Sequence, residues 1–392
     1  MILTQQSQIL CLECSQCGTA YSAYQPQTFS ECCNQPLSAK YNTHFSFSKE
    51  SLKGRRTDMW RYIEMLPVLE EQNIISLGEG MTPILPLHKL GEKYGLPRLL
   101  LKDEGLNPTG SFKARGLSMA VSKAKEFGFS TCIIPTAGNA GGAMSAYCAA
   151  AGMKAIVVMP RHTPEAFKEE CRLFGAELIL VDGLINDCAR EVARLKKDRD
   201  YFDMSTLKEP YRLEGKKTMG YEIAEQLDWQ LPDVILYPTG GGTGLIGIWK
   251  AFAEMIQLKW IRGGRLPRMI AVQADNCKPV VDVWTGAIPN AKGYKAKPSI
   301  ANGLAVPEPF AMNMIQDVLR KSSGMPVAVQ EEDIVQGVRE VAKHEGLLVA
   351  PEGGAIWKAL LQLTEQKIIR RDEKILLLNT GSCYKYMENL RS

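Results

Sequence analysis

The chain has 392 residues, 45% of them hydrophobic and 23% charged, which is enough for two or three domains with sizeable cores and excludes a disordered or fibrous protein. Lys and Arg total 47 against 43 Asp and Glu, a formal net charge of +4, so charge makes no case for a nucleic-acid or membrane-surface partner.

Met1 to Gln8 is polar, without the basic segment and apolar run of a secretory signal, so the chain reads as cytoplasmic. Five of the 11 cysteines, Cys11, Cys14, Cys17, Cys32 and Cys33, lie in the first 33 residues. The other six are scattered, which suits a reducing compartment better than a disulfide framework. Cys14-Ser-Gln-Cys17-Gly18 has the spacing of half a zinc ribbon. A regular second pair would place a cysteine where this chain has Ser30, so a fourth ligand must come from Cys32 or Cys11. The candidate metal set is Cys14, Cys17, Cys32 and Cys33. A ribbon that has lost its metal but kept its fold stays open, as do reduced cysteines packed as small hydrophobes. Composition changes near residue 45, where this Cys-rich head ends.

After residue 95, short β-rich runs alternate with helical ones. The runs are Cys132 to Pro135, Ala155 to Met159, Leu178 to Val181, Val234 to Tyr237, Met269 to Val272 and Ile375 to Asn379. Continuous apolar runs of this length predict strands covered on both faces. Ala140 to Ala151, Pro164 to Phe174 and Leu245 to Met255 read as helices, the first two stopped by Gly152 and Gly175. Phe127 to Met153 is uncharged and long enough for a bilayer, but its central Pro135, Gly138, Asn139, Gly141 and Gly142 make it a strand, a turn and a buried helix. No membrane partner is expected. The pattern is parallel α/β, in which ligands bind beyond the carboxyl ends of the strands.

Three strand ends carry unusual turns: Thr136-Ala-Gly138-Asn139-Ala-Gly-Gly142, Thr239-Gly240-Gly241-Gly242-Thr243-Gly244, and Thr380-Gly381-Ser382. Glycines at a helix N-terminus let backbone N–H groups approach an anion, so the second turn is a candidate phosphate cradle. Gly242, Gly244 and Gly247 also satisfy a dinucleotide fingerprint, with Asp275 as the ribose acid, although Asp275 lies farther along than ~20 residues. A plain tight turn is the simplest alternative.

The segment Asn107-Pro-Thr-Gly-Ser-Phe112-Lys113-Ala-Arg-Gly116 places a lysine just inside a helix that follows a glycine turn, beside the bulky Phe112. A helix cap with a solvated lysine would explain it structurally. A lysine deprived of water near a helix N-terminus instead has a lowered pKa and can act as amine nucleophile and base.

This segment resembles the Schiff-base lysine motif of the fold-type II pyridoxal-phosphate enzymes, the tryptophan synthase β-like group, and within it the threonine synthase family. Gly78-Glu79-Gly80-Met-Thr82-Pro83, the Lys113 run, Tyr211-Arg212-Leu-Glu-Gly215-Lys-Lys-Thr218, the glycine loop and Asn379-Thr-Gly-Ser are similar to its motifs, in order, over residues 75 to 386. The resemblance implies two open, mostly parallel sheet domains with the cofactor between them, residues 46–99 with 211–392 forming the larger and 100–210 the smaller, after a ribbon-like head of residues 1–45. It implies that Lys113 holds pyridoxal 5'-phosphate as a Schiff base and moves protons at the substrate carbons, with Phe112 beside it. Asn139 would meet the cofactor's phenolic oxygen, Gly240, Gly241, Gly242, Thr243 and Gly244 its phosphate, and Thr380, with Ser382 in reserve, its pyridine nitrogen. Thr136, Ala137 and Ala140 would receive the substrate carboxylate, and Arg212, with Ser205 and Thr206, the substrate phosphate, which a guanidinium can grip with two parallel hydrogen bonds. An ion pair of Arg212 with Glu209 or Glu214 is the structural alternative.

The implied activity is conversion of O-phosphohomoserine and water to threonine and phosphate, a carbon–oxygen lyase step in threonine biosynthesis. Ala114 and Ala137 depart from the family pattern and keep open a serine/threonine dehydratase or a cysteate-synthase-like enzyme. A nicotinamide oxidoreductase leaves Lys113 unexplained, and a zinc-ribbon adapter with an inactive body is a further alternative. Fold relatives are often dimers, so a homodimer acting on a small amino acid is expected.

Overall fold

The apolar runs do form parallel strands, and the order of those strands decides where ligands can sit. The computed structural model describes residues 6–262, 264, 266–388 and 390. In chain order the elements are β1 (Ile9–Cys14), β2 (Ala20–Tyr21), β3 (Leu37–Tyr41), β4 (Ile84–Pro86), α1 (His88–Tyr94), β5 (Leu99–Asp103), α2 (Lys113–Glu126), β6 (Thr131–Pro135), α3 (Asn139–Ala151) and β7 (Lys154–Pro160). Then come α4 (Glu165–Leu173), β8 (Glu177–Val181), α5 (Ile185–Lys196), β9 (Phe202–Asp203), α6 (Tyr211–Gln226), β10 (Val234–Pro238), α7 (Thr243–Gln257) and β11 (Arg268–Ala274). The chain continues through α8 (Pro279–Thr285), α9 (Met312–Lys321), β12 (Met325–Val329), α10 (Glu331–Glu345), α11 (Pro351–Glu365) and β13 (Ile375–Asn379).

One unit comprises Met1–Met81, Lys113–Met219 and Gln257–Trp260. Its head is a small antiparallel sheet, β2-β1-β3. Its second sheet, β8-β7-β6-β9, is parallel throughout. Ile133, Ile156 and Val158 of that sheet pack with Cys188 and Val192 of α5, which covers one face of the apolar strands. Strand order reverses beside β6, with β7 and β8 on one side and β9 on the other, and the crevice at such a reversal is where an open parallel sheet binds ligands.

Residues 46–81 cluster with this unit, whereas the sequence reading put 46–99 with the larger domain. The reason is a buried carboxylate. Glu79, fully shielded, accepts from Trp60 Nε1 (2.8 Å), Ser118 Oγ (2.6 Å), the Leu77 N–H (2.9 Å) and Tyr147 OH (2.6 Å), tying the segment to α2 and α3. Lys123 of α2 and Lys217 of α6 donate to the carbonyls of Pro67 (3.0 Å) and Met65 (2.6 Å).

The other unit comprises Thr82–Phe112, Gly220–Ile256 and Ile261–Ser392. Its sheet runs β12-β11-β10-β13-β5-β4, parallel except for β4 at one edge. Leu236, Leu377, Trp357 and Leu360 belong to its core. Here the order reverses between β10 and β13, whose carboxyl ends lead into the glycine loop and Thr380.

Helices α2 and α6 cross within the first unit at two glycines. A Cβ on Gly215 would stand 2.1 Å from the Arg115 carbonyl oxygen, and one on Gly116 would stand 3.0 Å from the Arg212 carbonyl oxygen. The backbones therefore approach more closely than any side-chain-bearing pair allows. Gly215→Ala should force the helices apart at a cost of about 1–3 kcal/mol or more, read as an earlier thermal transition by circular dichroism; an unchanged midpoint would contradict the close crossing.

Candidate active site

Lys113 is the first residue of α2, reached through a strained approach. Thr109 (φ 60°) and Gly110 (φ 63°) both occupy the left-handed region, which non-glycine residues rarely adopt. The approach is held by a short antiparallel pairing. Phe112 N–H donates to the Thr380 carbonyl (3.1 Å), Ser382 N–H donates to the Gly110 carbonyl (2.8 Å), and Ser111 bridges Gly381. The Phe112 ring meets Tyr237 of β10 edge to face, centroids 6.2 Å apart. The strands after which the glycine loop and Thr380 stand thus also fix the residues that lead into Lys113.

The glycine loop is a cradle that side chains would fill. A Cβ on Gly240 would stand 2.4 Å from the Gly303 carbonyl oxygen, one on Gly242 (φ 77°) 2.4 Å from Ile315, and one on Gly244 1.8 Å from the Tyr237 hydroxyl. Gly241 and Thr243 complete the turn, and Thr243 opens α7, so N–H groups of the first helical turn and the helix dipole point where an anion would sit. Thr380 is 6% exposed and Ser382 partly exposed, its Oγ accepting from the Tyr384 N–H at 3.4 Å. Ser111 Oγ and Thr109 Oγ1 are buried without a hydrogen-bond partner. An anion cradle beside orphaned hydroxyls fits a phosphorylated, polar cofactor.

On the first unit, Thr136, Ala137 and Gly138 follow β6, and Asn139 and Ala140 open α3. Thr136 Oγ1 accepts from the Gly138 N–H at 3.2 Å, closing the turn beneath a helix terminus suited to a carboxylate. Ser205 and Thr206 follow β9, the neighbour of β6 across the strand-order reversal, so both groups occupy one edge of the sheet. Ser205 is engaged by Asp203 (Oγ to Oδ1, 2.5 Å). Arg212, 2% exposed, donates through Nη1 to the Met204 carbonyl (2.6 Å) and Thr206 Oγ1 (3.3 Å).

The alternative of an Arg212 ion pair is only partly met. Glu214 is committed to Lys217 (2.7 Å) and the Tyr41 hydroxyl (2.8 Å). Glu209 Oε1 approaches Arg212 Nε only to 4.0 Å, and neither atom has a hydrogen-bond partner. Glu209 spends Oε2 on the N–H groups of Tyr211 (2.7 Å) and Arg212 (2.9 Å), capping α6. Burial pushes its carboxyl up to about 7, against the pull of Arg212. A buried guanidinium with an unused Nε has the donor that an anion would require.

Sequence reasoning passed over Glu209 except as a partner for Arg212, and passed over Lys216 altogether. Lys216 is 1% exposed on α6, with burial, then Arg212 and Lys113, drawing it well below the usual lysine range. Only the crossing at Gly116 reveals it.

In the head, Cys14, Cys17, Cys32 and Cys33 bring their Sγ atoms within 4.8 Å of one another. Cys11, the other candidate, lies on β1 outside this group. Burial pushes the Cys14 thiol up, but the Ser30 hydroxyl and the Cys17 and Gln16 N–H groups outweigh it and bring the thiol to about 6. Ser30, standing where a ligand was expected, thus supports a thiolate. Four thiols at this separation fit a tetrahedral zinc with bonds of ~2.3 Å. No described helix is long and apolar enough to cross a membrane.

Residues 75–381 match the family described as pyridoxal-phosphate dependent enzyme. Over 335 residues the chain is 36% identical to a threonine synthase of Methanocaldococcus jannaschii, covering 85% of this chain and 82% of the relative. A threonine synthase of Methanosarcina acetivorans is 31% identical over 95% of this chain and 92% of its own. Among solved structures, diaminopropionate ammonia lyase of Escherichia coli superimposes with a TM-score of 0.69 at 18% identity, covering 89% of this chain and 93% of that one, and maize serine racemase with 0.64 at 21%, covering 79% and 94%. These last two likenesses establish the fold alone. With the glycine cradle, the lysine at the head of α2 and these relatives, the chain belongs to the pyridoxal-phosphate dependent enzymes and, among them, to the threonine synthase family.

Proposed function

We propose that the enzyme converts O-phosphohomoserine and water to threonine and phosphate, and that Arg212 is the observation that carries this choice. A buried guanidinium with an unused Nε, at the same sheet edge as the carboxylate-binding turn, suits a substrate with an anion at each end.

Pyridoxal phosphate, when bound, supplies an electron sink for the substrate carbons. The residues that would hold it are Lys113 and its neighbour Phe112, Asn139, the loop Gly240, Gly241, Gly242, Thr243 and Gly244 for its phosphate, and Thr380 or Ser382 for its ring nitrogen. A hydroxyl there, in place of a carboxylate, would offer the ring nitrogen no negative charge to hold a proton. Thr136, Ala137 and Ala140 receive the substrate carboxylate on N–H groups at the start of α3. Arg212 and Thr206 hold the phosphate, with Ser205 beside them, and this fixes Cα and Cβ for proton transfer. Lys113 takes the proton from Cα, and proton loss from Cβ follows as phosphate leaves Cγ. Water then adds its hydroxyl to Cβ, and protons return to Cγ and Cα, so the products are threonine and phosphate. Assembly as a homodimer and a cytoplasmic location belong to the same reading and rest on the sequence. For the head we propose a structural zinc on Cys14, Cys17, Cys32 and Cys33.

Lys113→Ala should lose the visible absorption band of the lysine-bound cofactor and lower threonine formation by about 10³-fold or more; a variant with wild-type turnover would refute the assignment. Arg212→Lys keeps charge but loses the fork, so KM for O-phosphohomoserine should rise about 10- to 100-fold with a smaller change in kcat. Purified protein should carry about one zinc per chain by plasma mass spectrometry, lost in Cys14→Ser, and chelation should lower the unfolding temperature. Metal-free protein of unchanged stability would count against the zinc.

A further inference from the structure

The Cys-rich head grips helix α6 on the side away from Arg212. Arg212 and Glu214 stand two residues apart in the first turn of that helix, and side chains so spaced leave it in nearly opposite directions. Arg212 goes to the Met204 carbonyl (2.6 Å) and Thr206 Oγ1 (3.3 Å), just beyond β9. Glu214 accepts from the hydroxyl of Tyr41 (2.8 Å), the last residue of β3. Lys217, on the following turn, closes the contact. Its Nζ reaches Glu214 Oε2 (2.7 Å), the Met65 carbonyl (2.6 Å) and the face of the Tyr41 ring, 3.9 Å from the centroid. Tyr41 is 8% exposed and Glu214 and Lys217 are fully shielded, so loss of the hydroxyl leaves a charged acceptor that water cannot readily satisfy.

The sheet that ends in Tyr41 carries the thiol cluster at its other end. Strands β1 and β3 pair from Cys14 opposite Leu37 to Ile9 opposite Tyr41. Cys14 is one of the four grouped thiols. The Tyr41 end is seated on residues 64–66: Asn42 N–H donates to the Gln8 carbonyl (2.8 Å), Gln8 N–H to the Glu64 carbonyl (2.8 Å), and the Ser7 hydroxyl to the Leu66 carbonyl. Glu64 and Leu66 flank Met65, whose carbonyl Lys217 takes. One ladder of backbone hydrogen bonds therefore runs from the thiols to the back of the helix that carries Arg212, and such a rigid element can transmit a displacement along its length.

We propose that the head is a positioning element for Arg212, with Tyr41 as its positioning residue, so that loosening the thiol cluster weakens the hold on the phosphate of the substrate. This rests on Arg212 being the substrate-phosphate anchor. A zinc on the four thiols would pin the far end of the ladder, and Tyr41 passes that order to the first turn of α6. The head touches no substrate and forms no bond in the reaction; it sets the place from which the guanidinium reaches.

The test uses the pyridoxal-phosphate-loaded enzyme, with sulfate as the phosphate probe and calorimetry as the readout. Tyr41→Phe keeps the ring over Lys217 and removes the hydroxyl. It should bind sulfate about 10-fold more weakly and raise KM for O-phosphohomoserine by a similar factor, with a smaller change in kcat. Threonine, which has a carboxylate and an amine but no phosphate, should bind as in the wild type, followed by the visible band; a merely structural loss would weaken both ligands. Cys17→Ser, at an exposed thiol, should weaken sulfate binding about 3- to 10-fold by itself and add nothing to Tyr41→Phe, because the route is already cut. Undiminished sulfate binding in Tyr41→Phe, equal weakening of sulfate and threonine, or a Cys17→Ser effect of the same size in both backgrounds would overturn the proposal. Should Tyr41→Phe fail to fold, Cys17→Ser decides alone, and unchanged sulfate affinity there counts against it. Arg212→Lys separates the two readings: sulfate binding indifferent to Arg212 faults the anchor itself, whereas dependence on Arg212 without dependence on Tyr41 removes only the role of the head.

Discussion

The close crossing of α2 and α6 is the constraint on which the chemistry depends. Two helices can approach so nearly only where neither offers a Cβ, and Gly116 and Gly215 supply that condition, with the Arg115 carbonyl filling the space a side chain would take. Lys113 stands one turn before Gly116 and Arg212 one turn before Gly215, and both act on the buried Lys216.

Within each unit, long-range hydrogen bonds fix the segments that carry the candidate residues. In the first, Glu79 takes hydrogen bonds from Trp60, Ser118 and Tyr147, so that α2 and α3 share one buried acceptor and cannot shift independently. In the second, Gly110–Phe112 pair with Thr380–Ser382, which follow β13. Both parallel sheets reverse their strand order, at β6 and β9 in one and at β10 and β13 in the other. The Thr136 turn, Ser205 and Thr206, the glycine loop and Thr380 follow those strands, as the geometry of open parallel sheets requires.

Much of this could be read without coordinates, because the physical signals were local. The apolar runs that became β6, β7, β8, β10, β11 and β13 carry no charge in their centres, and Gly152, left-handed at φ 68°, stops α3 as its position suggested. Strand β5 escaped because it closes on Lys102 and Asp103; the Lys102 charge is met by Glu222 (3.0 Å), a residue more than a hundred positions away. Strand β12 escaped because Pro326 reads as a breaker, yet an edge strand tolerates it. The glycine loop and the Lys113 run were legible as motifs, whereas Lys216 resembles any surface lysine until the glycine opposite it is known. Cys32 and Cys33 join Cys14 and Cys17 despite irregular spacing, since the turn through Ser30 to Gln35 folds back on itself (Ser30 N–H to the Gln35 carbonyl, 2.8 Å).

The proposed reaction moves oxygen from water onto the β-carbon while the phosphate ester breaks on its carbon side. Incubating the cofactor-loaded enzyme with O-phosphohomoserine in ¹⁸O-water and analysing both products by mass spectrometry tests it directly. The account predicts threonine with ¹⁸O in its hydroxyl and phosphate without the label. Label in the phosphate with homoserine as co-product, or 2-oxobutyrate in place of threonine, would contradict it.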